Sequence, residues 1–176
     1  DRKLNAPRAV ILAPTRELAI QIHSDAEPLG QHTGLRLGLA FGGVDIEKQK
    51  RHLEVGVDVL IGTPGRIIDF YKQQVIDLSS VQVLVLDEAD RMMDMGFWPD
   101  VRRIAELLPP SAARQTMLFS ATMPDEVMKF ADALAPNAVF LQVGTDDRLL
   151  ELAKSGVRRV TLVTPSFAVD CLETLE

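Results

Sequence analysis

Two carboxylates directly after an apolar run form the strongest chemical pattern in the chain. Asp87 and Glu88 follow the run Val81–Leu86, and Asp90 comes two residues later. An apolar strand that carries an acidic pair at its carboxyl end can hold Mg²⁺ through water with the first carboxylate. The second can then orient or deprotonate a water that attacks a phosphate. A solvated acidic turn before a helix is the alternative interpretation.

Small polar and basic groups follow four other apolar runs. A threonine hydroxyl, an arginine and a helix N-terminus together suit a phosphate oxygen, and paired glycines let the main chain approach a ligand closely. Hydroxyls at the last run could bond to the acidic loop and sense its state. Taken alone, each group is also explained by a helix cap or a turn. In chain order the groups are Pro14, Thr15, Arg16 and Glu17; Gly42 and Gly43; Thr63, Pro64, Gly65 and Arg66; and Ser120, Ala121 and Thr122.

The apolar runs alternate with segments of helical periodicity, which predicts an α/β fold with a parallel sheet flanked by helices. Most runs are apolar throughout, as is typical of strands buried on both faces of such a sheet. Ligands bind beyond the carboxyl ends of such strands, where the polar groups lie. The predicted strands are Arg8–Ala13, Arg36–Phe41, Asp58–Ile61, Val81–Leu86, Thr116–Phe119 and Val139–Val143.

Capping residues predict where the helices begin and end. Side chains such as threonine and aspartate accept hydrogen bonds from the first turn, and proline and glycine interrupt a helix. The expected helices are one capped by Thr15 and kinked or ended at Pro28, one capped by Asp45 and closed by Gly56, one capped by Thr63 with Pro64 in its first turn, one around Val101–Leu108, and one opened by Thr122 and Pro124 that reaches Leu134.

Composition limits the classes of function. With 176 residues, of which 47% are hydrophobic, the chain can bury a core. The net charge is −6, so any contact with a nucleic acid must be local rather than made by a basic surface. A single cysteine, Cys171, excludes an internal disulfide and suits a reducing, cytoplasmic compartment. No apolar run is long enough to suggest a membrane span.

Five sequence blocks together resemble the DEAD-box RNA helicase family. APTRELAIQI, FGG, GTPGR, VLDEADRM and FSATMP occur in the order of the signature blocks of that family. The resemblance covers residues 1 to 143 and is nearest to the bacterial RNA helicase B type, which is associated with RNA degradation. It implies a RecA-like, P-loop NTPase fold and the first, ATP-binding motor domain of an ATP hydrolase.

The resemblance also implies roles for the residues found above. Asp87 and Glu88 would serve Mg²⁺–ATP and its hydrolysis, with Mg²⁺ held by Asp87 through water. Asp90 would bond to Ser120 and Thr122 and couple hydrolysis to strand separation. RNA would bind independently of its sequence, through its backbone, along the residues from Pro14 to Glu17, at Gly43, and from Thr63 to Arg66. The implied partners are RNA, a second helicase domain and the RNA-degradation machinery.

One feature of the family is absent from the printed sequence. No G-x-x-x-x-G-K-[ST] phosphate loop occurs in it, although the family pattern places such a loop before Arg8–Ala13. The 176 residues alone are therefore not expected to form a competent ATPase. The sheet is expected to be incomplete on its N-terminal side, with an exposed edge or an apolar gap, and to be marginally stable or to associate.

The last residues, 144–176, form a separate segment. They include GVRRVTLVTPSFAVDCLETLE, which could be the linker to a second motor domain together with its first strand, and the run Val157–Val163 is strand-like. This stretch is also similar to a segment of bacterial ferrochelatases, with Glu173 on the pocket glutamate of that family. A chimeric reading frame and ordinary divergence both remain open.

Two other functions compete with a truncated helicase domain. The first is a non-catalytic module that binds RNA or a protein partner without a phosphate loop. The second rests on the tail alone and is a ferrochelatase-related fragment, for which binding of a haem precursor is the test.

Overall fold

The computed structural model describes residues 4–136, 138–142 and 160–163. Within them, five short parallel strands form one sheet and six α-helices connect or flank its strands. The strands are β1 (Ala9–Leu12), β2 (Leu37–Ala40), β3 (Val59–Gly62), β4 (Val83–Leu86) and β5 (Gln115–Leu118). The helices are α1 (Arg16–Gly30), α2 (Ile46–Glu54), α3 (Pro64–Lys72), α4 (Ala89–Asp94), α5 (Trp98–Leu107) and α6 (Asp125–Leu134).

The strand order is β2-β3-β1-β4-β5, and every neighbouring pair is parallel. The predicted strands lie within two residues of the observed ones, and the predicted α/β class is confirmed. All five carboxyl ends meet at one edge of the sheet, as parallel pairing requires.

The core is unequal on the two faces of the sheet. Alternate residues of the strands, such as Val10 and Leu84, are fully buried in a large cluster with α2, α3, α5 and α6. The opposite face packs against α1, where Ile11 and Val59 are only partly buried. Burial on both faces was therefore predicted too strongly: apolar runs do not reveal how many helices cover each face.

Two glycines in β2 and β3 allow the edge of the sheet to form. A Cβ on Gly38 would lie 2.7 Å from Leu53 Cδ2, and one on Gly62 would lie 2.0 Å from the Ala40 carbonyl oxygen. No side chain fits in either space. The close approach of β2 to β3 and α2 therefore depends on glycine at both positions.

One expectation about helix ends is wrong, and two others are confirmed only in part. Pro28 lies inside α1, which ends two residues later where Thr33 donates from its N–H and hydroxyl to the Gly30 carbonyl. Thr63 occupies the N-cap of α3 but makes no capping hydrogen bond with its side chain. Thr122 does not open α6, which begins after Pro124; its hydroxyl is used by Asp90 instead.

A second, two-stranded parallel sheet consists of β6 (Val139–Gln142) and β7 (Val160–Val163). Strand β5 is an edge of the main sheet, and β7 lies beside it. The strand-like segment predicted at 157–163 is thus present in part. Residues 144–159 and 164–176, with Glu173 and Cys171, lie outside the described residues, so the ferrochelatase-like resemblance stays a prediction.

None of the helices in the described part of the chain combines the length and apolar character that crossing a membrane requires.

Candidate functional site

The loops that carry the candidate residues begin side by side in one row. In each case the first residue after a strand donates its N–H to the last residue of the neighbouring strand. These bonds are Thr63 to Ala40, Ala13 to Gly62, Asp87 to Leu12, and Phe119 to Leu86, all between 2.8 and 3.0 Å. Adjacent strands lie about 5 Å apart. Because the strand order is β2-β3-β1-β4-β5, the row of loops runs from the glycine loop after β2 to the hydroxyl loop after β5.

The acidic pair lies at the end of β4. Glu88 has a left-handed backbone, with φ of 49°, which costs a non-glycine residue about 1–3 kcal/mol and is concentrated at functional sites. Its N–H donates to Asp87 Oδ1 at 3.0 Å, and its carboxylate accepts from Arg91 Nη1 at 3.0 Å. The strained turn therefore places the two carboxylates at the edge and leads directly into α4.

Asp87 has the properties of a ligand for a hard cation. Burial raises the pKa of its carboxyl group, with a further increase from the neighbouring Glu88 charge, and the Glu88 N–H opposes both. A desolvated carboxylate gains most from a nearby positive charge. Oxygen donors are also what Mg²⁺ prefers, and it commonly retains several waters. Asp87 thus fits the predicted water-mediated Mg²⁺ site.

Asp90 is tied to the loop after β5 by a set of hydrogen bonds that we call the clasp, formed by Asp90, Ser120 and Thr122. Thr122 donates to Asp90 Oδ2 from its N–H at 2.9 Å and from its hydroxyl at 2.7 Å. The Asp90 N–H donates to Ser120 Oγ at 3.1 Å, and that hydroxyl donates to the Thr122 carbonyl at 2.7 Å. The predicted contact is present.

Electrostatics in the clasp favour the ionised form of Asp90. Burial raises the pKa of Asp90, but the hydrogen bonds from the Thr122 hydroxyl and N–H and from the Arg91 N–H together hold it below its usual value. The pKa values of Asp87 and Asp90 are therefore shifted in opposite directions, although the two residues are only three positions apart. Perturbed pKa values cluster at functional sites.

The loop after β1 presents a helix N-terminus and an arginine. Thr15 caps α1 by accepting from Leu18 N–H at 3.2 Å, as predicted, so its hydroxyl is partly used by the helix. Arg16 lies 6.0 Å above the ring of Phe41 and 3.7 Å from where a Cβ of Gly43 would be. The loops after β1 and β2 are therefore in contact through Arg16, although β3 lies between their strands.

The loop after β3 presents donors that the fold does not use. Thr63 makes no capping hydrogen bond, and Pro64 is buried at the start of α3. Arg66 lies 5.5 Å above the ring of Phe70, and among the described residues no partner accepts from its buried Nη1 atom. A buried donor without a partner costs free energy, and an anionic oxygen at this helix N-terminus would satisfy it.

Sequence reasoning missed three residues that shape the site. Gln49 bonds to both main-chain groups of Phe41, Phe41 supports Arg16, and Arg91 contacts Glu88. The only available signal was weak: Gln49 lies four residues after the helix cap Asp45, on the side of the helix that returns to the strand end. Arg91 could have been found from its spacing, because residues three apart on a helix are neighbours.

Comparisons with known proteins agree with this geometry. The family model described as DEAD/DEAH box helicase matches residues 1–130. The ATP-dependent RNA helicase RhlB of Salmonella paratyphi B is 55% identical over 148 residues, which are 84% of this chain and 35% of that protein. The RhlB protein of Salmonella newport matches to the same extent. The chain therefore spans about a third of the length of these curated relatives.

A solved structure gives the same result for the fold. The DEAD box protein from the hyperthermophile Methanococcus jannaschii superimposes with a TM-score of 0.70 at 25% sequence identity. The match covers 91% of this chain and 61% of the other. The parallel sheet with flanking helices is thus the RecA-like arrangement of such a helicase domain.

Proposed function

The chain belongs to the DEAD/DEAH box helicase family, and on that premise we propose that it forms the RNA-contacting and hydrolytic edge of the first motor domain of an ATP-dependent RNA helicase. The observation that carries the proposal is the strand order. It places the three predicted RNA loops, after β2, β3 and β1, next to the acidic loop after β4 and the hydroxyl loop after β5. RNA binding and hydrolysis would then occupy neighbouring halves of one edge.

The RNA half consists of the residues from Pro14 to Glu17, Gly43, and those from Thr63 to Arg66. Two helix N-termini and two arginines face a phosphate-bearing strand there, and these groups recognise backbone rather than bases. The chain has a net charge of −6, so this local set must supply the attraction. RNA would therefore bind without strong sequence preference and with clear dependence on salt.

The hydrolytic half consists of Asp87, Glu88 and the clasp. Mg²⁺, when bound near Asp87, would neutralise charge that develops on the phosphates of ATP. Glu88 would orient or deprotonate the attacking water, and Arg91 Nη1, 3.0 Å from Glu88 Oε2, holds that carboxylate in place. Asp90, through Ser120 and Thr122, would couple changes in the acidic loop to the loop after β5. A second motor domain would complete the site.

The wider assignments follow from the same family. We place the protein in the cytoplasm, with the RNA-degradation machinery as its setting and residues 1–143 as the motor-domain part. A non-catalytic module that binds RNA or a protein partner is the second candidate. The two candidates share the RNA half and differ in hydrolysis, so ATPase activity separates them only in a protein that also contains a phosphate loop, and not in these 176 residues alone.

RNA binding should depend on Arg66 and Arg16. We expect each of the changes Arg66→Gln and Arg16→Gln to weaken binding of a fluorescein-labelled oligouridylate about five- to tenfold, because each removes a charge-assisted contact to phosphate. Fluorescence anisotropy in low salt measures the Kd. Arg103→Gln is the matched control, since Arg103 is exposed on α5. Equal losses in all three variants, or no binding by the unaltered chain, would contradict the proposal.

ATP hydrolysis by these 176 residues alone should stay at background. The printed sequence has no backbone cradle and no P-loop lysine for the β- and γ-phosphates, so Asp87 is left to hold Mg²⁺–ATP without them. Phosphate release would be measured with Mg²⁺–ATP, with and without RNA. The expectation is wrong if RNA stimulates release and Glu88→Gln removes that stimulation.

A further inference from the structure

The side chain of Gln49 replaces a strand partner for the residue that follows β2. Its Oε1 accepts from the Phe41 N–H at 3.2 Å, and its Nε2 donates to the Phe41 carbonyl at 2.9 Å. Both bonds are buried, and Gln49 itself is only 9% exposed. The carboxamide thus satisfies both main-chain groups of one residue at the point where the chain leaves the sheet edge.

This pair of hydrogen bonds fixes the loop after β2, which otherwise has little support. Gly42 and Gly43 are exposed, and nothing lies within 4 Å of where a Cβ of Gly42 would be. Asp45 caps the following helix through the N–H groups of Glu47 and Lys48, so α2 is held at its start. Gln49 then connects this rigid helix back to Phe41.

Phe41 in turn locates Arg16. The guanidinium carbon lies 6.0 Å from the centre of the Phe41 ring, and Arg16 Nη1 lies beside Gly43. Arg16 also pairs with Glu17, at 3.4 Å between two exposed side chains, and a surface pair of this kind contributes little. The position of Arg16 therefore depends on the loop that Gln49 holds.

We propose that Gln49 is a positioning residue for RNA: its two bonds to the Phe41 main chain hold Phe41 and Gly43 against Arg16 and so keep that guanidinium where an RNA phosphate passes the ends of β1 and β2. This inference rests on the proposed function. Gln49 does not touch RNA; it acts through Arg16. A side chain held in advance loses less conformational freedom on binding, which increases affinity.

A double-mutant cycle on the full chain tests the inference. Gln49→Met keeps the length of the side chain and removes both bonds. We expect it to weaken oligouridylate binding about five- to tenfold, as Arg16→Gln does, and to reduce the slope of log affinity against log salt by about 0.7, the value for one phosphate contact to a single strand. In the Arg16→Gln background, Gln49→Met should have almost no further effect, because coupled residues are not additive.

Controls separate positioning from loss of fold. Val57→Ala removes buried volume beside Gly38 of β2 and leaves both Gln49–Phe41 hydrogen-bonding partners in place, and should leave the Kd and the salt slope unchanged. Gln49→Glu keeps one acceptor for the Phe41 N–H and replaces the Gln49 N–H donor with a carboxylate oxygen facing the Phe41 carbonyl. It should weaken binding like Gln49→Met, and it serves in place of Gln49→Met if that variant does not fold.

The outcomes distinguish this inference from the proposed function. If the unaltered chain binds RNA and Gln49→Met binds equally well, or if its loss adds fully to that of Arg16→Gln, the inference is wrong and the proposed function stands. If the unaltered chain binds no RNA, the proposed function fails first and the inference fails with it.

Discussion

Replacing Gly62 with alanine is expected to destabilise the domain by about 3 kcal/mol or more, at the upper end of what overpacking causes. The new Cβ would lie 2.0 Å from the Ala40 carbonyl oxygen and 2.9 Å from its carbon. Neither atom can turn away, because that oxygen also accepts from the Thr63 N–H. Strand β2 must therefore separate from β3, which also separates the glycine loop from the loop that carries Arg66.

Urea unfolding followed by far-UV circular dichroism measures this loss, and Gly42→Ala is the matched control. A Cβ on Gly42 meets nothing within 4 Å, so that variant should stay within about 0.5 kcal/mol of the unaltered chain. Oligouridylate binding should fall in Gly62→Ala even where the protein remains folded. Equal stability of the two variants would show that β2 does not pack against β3 as described.

Replacing Asp90 with asparagine is expected to release the clasp and to lower the free energy of unfolding by about 1–2 kcal/mol at neutral pH. Oδ2 of the carboxylate accepts from the N–H and the hydroxyl of Thr122. In the asparagine variant, an amide NH₂ group in the place of Oδ2 would face these two donors and could not accept from them. Hydrogen bonds to charged groups contribute about 1.5–3 kcal/mol. The value here should be at the low end because Thr122 is exposed and solvent screens the charge.

The pH dependence of this difference has a definite sign. The pKa of Asp90 is lowered in the folded state, so its contribution to stability is present above its ordinary pKa and is lost as pH falls through the lowered value. The pKa of Asp87 is raised, which has the opposite sign, but this effect cancels when Asp90→Asn is compared with the unaltered chain. Their stability difference should therefore shrink in acid.

Urea titrations of both proteins across the acidic range measure this effect. Thr122→Val provides a second variant that keeps the shape and the N–H donor while removing the hydroxyl. We expect Thr122→Val to be less destabilised than Asp90→Asn. Its loss of unfolding free energy should also depend less on pH. A difference that stays constant down to strongly acidic pH would mean that Asp90 is not held in its ionised form by the clasp.

The fold could be predicted largely from local pattern. Short apolar runs bounded by polar residues identify strands such as Val83–Leu86, and Asp45 and Gly56 bracket α2 as expected. Parallel strands necessarily bring their carboxyl ends together, so the positions of the candidate residues followed from chain order. The unequal cover of the two faces did not follow, because it depends on which helices cross which side.

Contacts between distant loops could not be predicted in the same way. Thr122 has the residue type and spacing of a helix cap, and its bond to Asp90, 32 residues earlier, was expected from the family's motif blocks and not from the local pattern. Gln49 reads as a polar residue on an amphipathic helix, but it is buried because Phe41 offers two unpaired main-chain groups. Both outcomes are decided by competition between partners that meet only after the sheet has formed.

Amide chemical-shift mapping of the chain with a single-stranded oligouridylate tests the central claim most directly, because it locates RNA on the sheet edge without altering any residue. We predict that the largest shifts occur at Thr15, Arg16, Gly43, Gly65 and Arg66, in the loops after β1, β2 and β3. Largest shifts on α5, at Trp98–Leu107, or no shifts at RNA concentrations that saturate binding, would contradict the claim that this edge is the RNA surface of a helicase domain.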